Sequence, residues 1–251
     1  VDHFGKYRST QEIYAAFEKL NLTAYQPSKY IPEHVSNAKK EAKSDWQDDF
    51  FREQFLVKMM GILFLKRLES SWYALLLTVK KVLEIHKSTL VKVEAFKTKK
   101  SSASVDVDLE FDDEQTDAFA LQRKSGPIRL SEMKNLIGFE QNLRHDINML
   151  NEIYESLLAF EEDYHKGMEY DQKLDKLQEL LENKRNLDNK KVVIFTAYAD
   201  TAKFIYEELK KRGITKMAMV SGQEILTTGH QSTTNYNEIL QCFAPYSKLY
   251  N

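Results

Sequence analysis

Apolar side chains that return every three and four residues, in one stretch after another, constrain this chain more than any other feature. Only an α-helix with one buried face lines such residues up. From about Asp45 to Glu69 the line is Phe51, Phe55, Met59, Ile62 and Leu63. Ser70 to Lys97 continues it through Leu76, Val79, Val82, Leu83 and Leu90; the Ser70-Ser71 pair is the only plausible break, so one kinked helix or two consecutive ones are predicted. Ser131 to Glu162 repeats the pattern with Leu136, Leu143, Ile147, Leu150, Tyr154 and Leu157, and Tyr170 to Leu187 with Leu174, Leu177, Leu180 and Leu181. A shorter helix is expected over Ser9 to Leu22, capped by Ser9 or Thr10, with Ile13, Phe17 and Leu20 on one side. After it, Tyr25, Pro27, Tyr30 and Pro32 mark an extended connection packed on a neighbour. Only eight glycines and four prolines punctuate the 251 residues, which agrees with long helices. One-sided stripes of this length imply a bundle.

Composition sets the limits. With 42% hydrophobic and 29% charged residues the chain can bury a core and is no disordered tail. A formal net charge of -2 leaves no whole-chain basic field, so any nucleic-acid contact must be local. Cys242 is the only cysteine, which excludes a disulfide framework; the six histidines lie far apart, and no metal site is readable. The most apolar run, Phe55 to Leu65, contains Lys58 and is followed by Lys66 and Arg67, well short of the roughly 20 residues a membrane span needs. No membrane partner and a cytoplasmic location are expected. The sequence opens at Val1 and not at a methionine, and it is read as a fragment.

The expected organisation is a helical region, 1–165, holding a mobile acidic linker at about 98–118, followed by a different region, 166–251. In the latter, Lys191-Val-Val-Ile-Phe-Thr196 is a short continuous apolar run, the pattern of a strand buried on both faces. Asp200 is placed to cap a helix with Ala202, Ile205, Tyr206 and Leu209 on its apolar side, and Gly213 is its stop. Met217 to Val220 reads as a second strand, Gly222 to Thr234 as a polar loop, and Asn235 to Phe243 as a last helix ending at Pro245. Strand, helix, strand is a βαβ unit of a parallel sheet, so the fold class is mainly α with a C-terminal α/β part. Two strands leave such a sheet uncovered, and the rest is expected in a continuation.

Few residues carry chemistry by themselves. The turn Thr196-Ala-Tyr-Ala-Asp200 stands where an open α/β sheet places ligands, yet it has no glycine to wrap a phosphate. Asp112-Asp113-Glu114-Gln115 follows an alternating run and reads as a solvated acidic linker, not a magnesium box. A Gly-x-x-x-x-Gly-Lys-Ser/Thr loop is absent, so this chain alone is not expected to hydrolyse ATP. Arg52, Lys58, Lys66, Arg67, Lys80, Lys81 and Lys87 put positive charge along the second helical region, as phosphate contacts or, more simply, as a polar helix face. Trp46, Phe50, Phe51, Trp72 and Tyr73 read as packing aromatics, and no nucleophile with its base is apparent.

Lys190-Lys-Val-Val-Ile-Phe-Thr-Ala-Tyr-Ala-Asp-Thr-Ala-Lys-Phe204, then Ile205-Tyr-Glu-Glu-Leu209 and Val220-Ser-Gly222, resembles the opening of the second RecA-like domain of superfamily-two helicases. More narrowly it resembles the SWI/SNF-like ATPase group, including bacterial members of the RNA-polymerase-recycling type. Asp171-Gln-Lys-Leu-Asp-Lys-Leu177 is similar to the helix before that strand, Phe64-Leu-Lys-Arg-Leu-Glu-Ser-Ser71 to a segment between the two motor domains, and Ile239-Leu-Gln-Cys-Phe-Ala-Pro245 to a later helix. The resemblance implies a double-stranded-DNA translocase or helicase driven by ATP and magnesium, with the first RecA-like domain of the same polypeptide as partner. It puts Thr196 and Tyr198 near the nucleic-acid strand or the interdomain cleft, Ser221 and Gly222 beside it, and Asp200 and Thr201 as helix caps. Lys66 and Arg67 become candidate DNA contacts on a helical protrusion. The phosphate loop, the acidic box and the late arginine motif are missing, so neither cofactor is expected on this chain alone. The competing expectation is a non-enzymatic helical scaffold with an α/β cap; a phosphoacceptor-type regulator ranks third, for want of an acidic cluster.

Overall fold

The computed structural model describes residues 9–31, 46–99, 104–105, 128–222, 224–228 and 235–244. Most of the predicted acidic linker, including Asp112 to Gln115, lies outside them, as do Pro32, Pro245 and residues 229–234 of the polar loop. The chain is mainly helical and divides into two compact units, 1–112 with 118–162, and 113–117 with 163–251.

In the first unit, α1 (Thr10–Glu18) opens with a reciprocal cap: the Glu12 amide donates to Ser9 Oγ at 3.2 Å and the Ser9 amide to the Glu12 carboxylate at 2.7 Å. The helix ends at Glu18, short of the Leu22 expected, with Lys19 as its C-cap; Leu22 itself turns left-handed with φ 52°. The stretch predicted as extended then folds into two 3-10 turns, Thr23–Tyr25 and Pro27–Tyr30; Pro27, with its fixed φ, starts the second.

Next come α2 (Trp46–Ser70) and α3 (Trp72–Lys99), separated by Ser71 alone. The Ser71 amide donates to the Arg67 carbonyl at 3.0 Å, while Ser71 Oγ accepts from the Ala74 amide at 3.0 Å. One residue thus closes the first helix and caps the second, giving two consecutive helices. α4 (Leu136–His165) runs antiparallel to α3: Trp72 meets Phe160 edge-on at 5.2 Å, His86 faces Asp146, and Lys97 pairs with Glu140. Between α3 and α4 in the chain, β1 (Ser104–Val105) and β2 (Ile128–Arg129) pair antiparallel. Phe17 stacks on Phe64 at 4.3 Å, and Tyr30 meets Phe139 edge-on at 5.0 Å within a cluster that includes Val93, Leu130 and Leu143. Each such buried side chain contributes about 1.5–3 kcal/mol of transfer free energy.

One helix turns part of its predicted face outward. On α2 the buried line is Glu53, Met60, Phe64 and Arg67; of the face expected to be core, Phe51, Phe55 and Ile62 are exposed, and Met59 and Leu63 are half-buried. Phe51 is therefore not the packing aromatic expected, although Trp72 is buried as one.

The second unit holds α5 (Gln172–Arg185), with Asp171 Oδ1 accepting from the Leu174 amide at 3.0 Å, and α6 (Ala199–Lys211). Gly213, at φ 79°, ends α6: its amide donates to Lys210 O and the Ile214 amide to Leu209 O, each at 3.0 Å. This crossed pair of bonds needs a left-handed residue, which glycine supplies without strain. Leu209 and Ile214 then pack with Leu174. β3 (Ala218–Val220) and β4 (Ile225–Thr227) form an antiparallel hairpin in the register Ala218↔Thr227 to Val220↔Ile225. α7 (Tyr236–Phe243) follows, capped by Asn235 Oδ1 on the Asn237 amide.

The predicted parallel βαβ unit is not formed. Lys191 to Thr196 forms neither helix nor strand and belongs to no sheet, and β3 pairs with the next strand in the chain. Val192, Val193 and Ile194 are about half exposed and Phe195 is 92% exposed, so the run expected to be buried on both faces is covered on neither. A continuous apolar run reports what a strand is able to bury; it says nothing about whether neighbours are present to bury it. The hairpin, by contrast, needs only local contacts.

Candidate functional site

The residues expected to act together belong to the second unit, around the start of α6. Tyr198, not Asp200 or Thr201, is the N-cap residue: its backbone is extended (φ -130°, ψ 132°), and its carbonyl accepts from the Ala202 amide at 3.1 Å. Asp200 and Thr201 fall inside the first turn, where the Asp200 carboxylate still complements the positive end of the helix dipole. Thr196 Oγ1 donates to the same Tyr198 carbonyl at 2.9 Å, which fixes the turn between the apolar run and the helix. The Tyr198 side chain is buried and Thr196 half-buried. At the beginning of the run, the Lys191 ammonium donates to the Phe243 carbonyl and lies 5.6 Å from the centre of its ring, tying the run to α7.

Ser221 and Gly222 form the hairpin turn and not a loop beyond a parallel strand. The Ser221 amide donates to Glu224 O at 2.9 Å, and the Glu224 amide donates back to Ser221 Oγ at 3.0 Å. Glu224 also pairs with Lys203 at 2.8 Å, which holds the turn against the first half of α6. The structure thus gathers Thr196, Tyr198, Asp200 and the Ser221-Gly222 turn around one helix. At its other end, Glu208 accepts from Tyr164 Oη at 2.8 Å and from Lys211 Nζ at 2.6 Å. Burial raises the Glu208 carboxyl, but the Lys211 and Tyr164 bonds outweigh it and hold the group below its ordinary range.

The two candidates on the helical region separate. Lys66 is exposed, whereas Arg67 is 3% exposed, on the line Met60-Phe64-Arg67-Ser71 that faces the core. The cause is helical spacing: adjacent residues lie about 100° apart, so only one of a Lys-Arg pair faces out. Arg67, buried, is not placed to contact DNA.

A buried polar cluster in the first unit escaped the sequence reading. Asp146 Oδ1 accepts from the Asn21 amide at 2.8 Å; Oδ2 accepts from the Thr23 amide at 2.8 Å and from Thr23 Oγ1 at 2.6 Å. The left-handed Leu22 between them aims both amides at one carboxylate. His86 Nδ1 is bonded to the Val82 carbonyl at 2.8 Å, which makes it the donor and turns Nε2 toward Asp146 Oδ2 at 3.7 Å. Burial alone raises the Asp146 carboxyl; the His86 ring and the Thr23 hydroxyl and amide outweigh it, and the net displacement is downward. A Thr, a His and an Asp together suggest nucleophilic catalysis, but the Thr23 hydroxyl donates to the carboxylate and not to the imidazole. All three side chains are buried, so the cluster clasps the first 3-10 turn to α4. Its sequence signal was a titratable residue on each apolar stripe: His86 after Val82 and Leu83, Asp146 between Leu143 and Leu150.

Among the described residues no three His, Cys, Asp or Glu side chains gather to hold a metal, and no helix is long and apolar enough to cross a membrane. No family model, curated protein or solved structure matches the chain.

Proposed function

We propose that this chain is part of an ATP-driven DNA translocase or helicase of the SWI/SNF-like group, supplying the opening of its second motor lobe together with a helical region. The observation that carries the reading is the run Val192 to Phe195: apolar at every position, exposed, outside any sheet, and followed within a short turn by α6. A run of that kind is built to be an inner strand of a larger parallel sheet, and it coincides with the segment whose sequence resembles the group's second lobe. In this reading Thr196, Ser221 and Gly222 line the interdomain cleft or the nucleic-acid path, while Tyr198, whose side chain is buried, shapes the turn behind them and is not placed for direct contact. ATP and magnesium are held largely by the first lobe, and closure of the two lobes on the nucleotide moves the DNA-contacting surfaces. The alternative, a non-enzymatic scaffold, expects a core closed by the chain itself, and the exposed Phe195 weighs against it.

The test is ATP hydrolysis by the natural polypeptide that contains this sequence, with and without double-stranded DNA, beside the 251-residue chain. Hydrolysis stimulated by DNA in the former and absent from the latter is the expected outcome. A folded natural polypeptide that hydrolyses no ATP overturns the reading.

A further inference from the structure

The exposed residues of α2 whose side chains are described are Phe51, Phe55, Lys58, Ile62, Lys66 and Glu69, and they fall at intervals of three and four along one straight seam. Three are large and apolar: Phe51 is 66% exposed, Phe55 46% and Ile62 45%. The opposite side of the helix, which the first unit buries, carries Glu53 and Arg67 among its residues. With Met60 and Phe64 already filling the core side, a second apolar stripe left outside, two phenylalanines and an isoleucine on one seam, is available to a partner. Lys58 and Lys66 interleave with the apolar residues, and among the described residues neither meets an acidic partner.

From this seam the geometry points to a docking surface for an amphipathic helix of a partner protein, one with apolar residues at heptad spacing and glutamate or aspartate flanking them. From Phe51 to Lys66 the seam runs about 22 Å at 1.5 Å per residue, the length of a four-turn helix. Apolar knobs on the partner meet Phe51, Phe55 and Ile62, while its flanking acids meet Lys58 and Lys66. A second copy of this chain fits worse, since it brings lysines to lysines. The three apolar side chains expose roughly 300 Å², against about 800 Å² per partner in a stable interface, so the contact belongs to the transient class. A DNA backbone satisfies the two lysines and leaves the aromatics in water. The inference stands on the first unit and is independent of the motor reading.

The probe is a fluorescein-labelled three-heptad peptide with leucine at a and d and glutamate at e and g, whose own pairing the glutamates oppose. Fluorescence anisotropy is expected to show saturable, micromolar binding to the 251-residue chain. Lys58→Glu/Lys66→Glu and, separately, Phe55→Ser each weaken it about tenfold or more, with circular dichroism unchanged because all three positions are exposed. The charge-reversed variant gains binding to the same peptide carrying lysine at e and g. Absence of saturable binding, or binding that survives charge reversal, overturns the proposal. So does saturable binding to a DNA duplex or to phosphatidylserine vesicles, or dimerisation of the chain, that the same substitutions abolish.

Discussion

Replacing Asp146 by Asn tests the clasp of the first unit with almost no change of shape. The carboxylate accepts three hydrogen bonds, from the Asn21 amide, the Thr23 amide and the Thr23 hydroxyl, and lies 3.7 Å from the His86 ring. An amide keeps one oxygen and presents an N–H to groups that are themselves donors, so at least one buried backbone amide loses its acceptor. A hydrogen bond to a charged group is worth about 1.5–3 kcal/mol, and a donor left without its acceptor costs about 1–3 kcal/mol. Asp146→Asn is therefore expected to destabilise the unit by about 1.5–3 kcal/mol, out of the roughly 5–15 kcal/mol typical of a domain. Tryptophan fluorescence during urea unfolding isolates the effect, because Trp46 and Trp72 both belong to the first unit. The sign with pH is also fixed. The folded state holds the Asp146 carboxyl below its ordinary value of 3.8, so its contribution is present above that value and is lost as pH falls through the folded one. Asp146→Asn is expected to flatten this acid limb. A variant within about 1 kcal/mol of the parent, with the same acid limb, would refute the assignment of the clasp to the carboxylate.

Four smaller changes test other parts of the fold. Ser71→Ala removes the oxygen that caps α3 and is expected to cost about 1 kcal/mol in the same unfolding experiment. Gly213→Ala places a Cβ in open space but at φ 79°, so the expected loss of about 1–2 kcal/mol is backbone strain alone, read as faster amide exchange at the end of α6. Tyr164→Phe takes one donor from Glu208, and the Glu208 carboxyl should titrate higher than in the parent when followed by carbon-13 NMR. Phe195→Ser alters a side chain that is 92% exposed; the thermal stability of the 251-residue chain should move by less than about 0.5 kcal/mol.

The helices were legible because each carries its own signals. Ser9 with Glu12, the serine pair at the α2–α3 joint, and Gly213 after Lys210, Lys211 and Arg212 are local features whose geometry follows from neighbouring residues. What pairs with what was less legible. The apolar run at Val192 states a capacity for two-sided burial, and a period-two or continuous pattern names no neighbour. On α2 the periodicity located the apolar stripe correctly and misjudged its use: periodicity gives a face, while burial depends on contacts far away in sequence. The Lys66-Arg67 pair failed as a joint site for the same reason, since consecutive residues on a helix face different ways. The Asp146 clasp combines both limits, because its partners come from a segment more than a hundred residues earlier.

That separation sets a clock on biosynthesis. Thr23 leaves the ribosome 123 residues ahead of the carboxylate that fixes it. At about 5–20 residues per second the nascent chain waits roughly 6–25 s before the clasp can close. During that interval Tyr25 and the other side chains of the first 3-10 turns, buried in the finished fold, have no native cover from α4. The segment around Thr23 can pack against α2 and α3 before α4 exists, so it is the bonds to Asp146 that must wait.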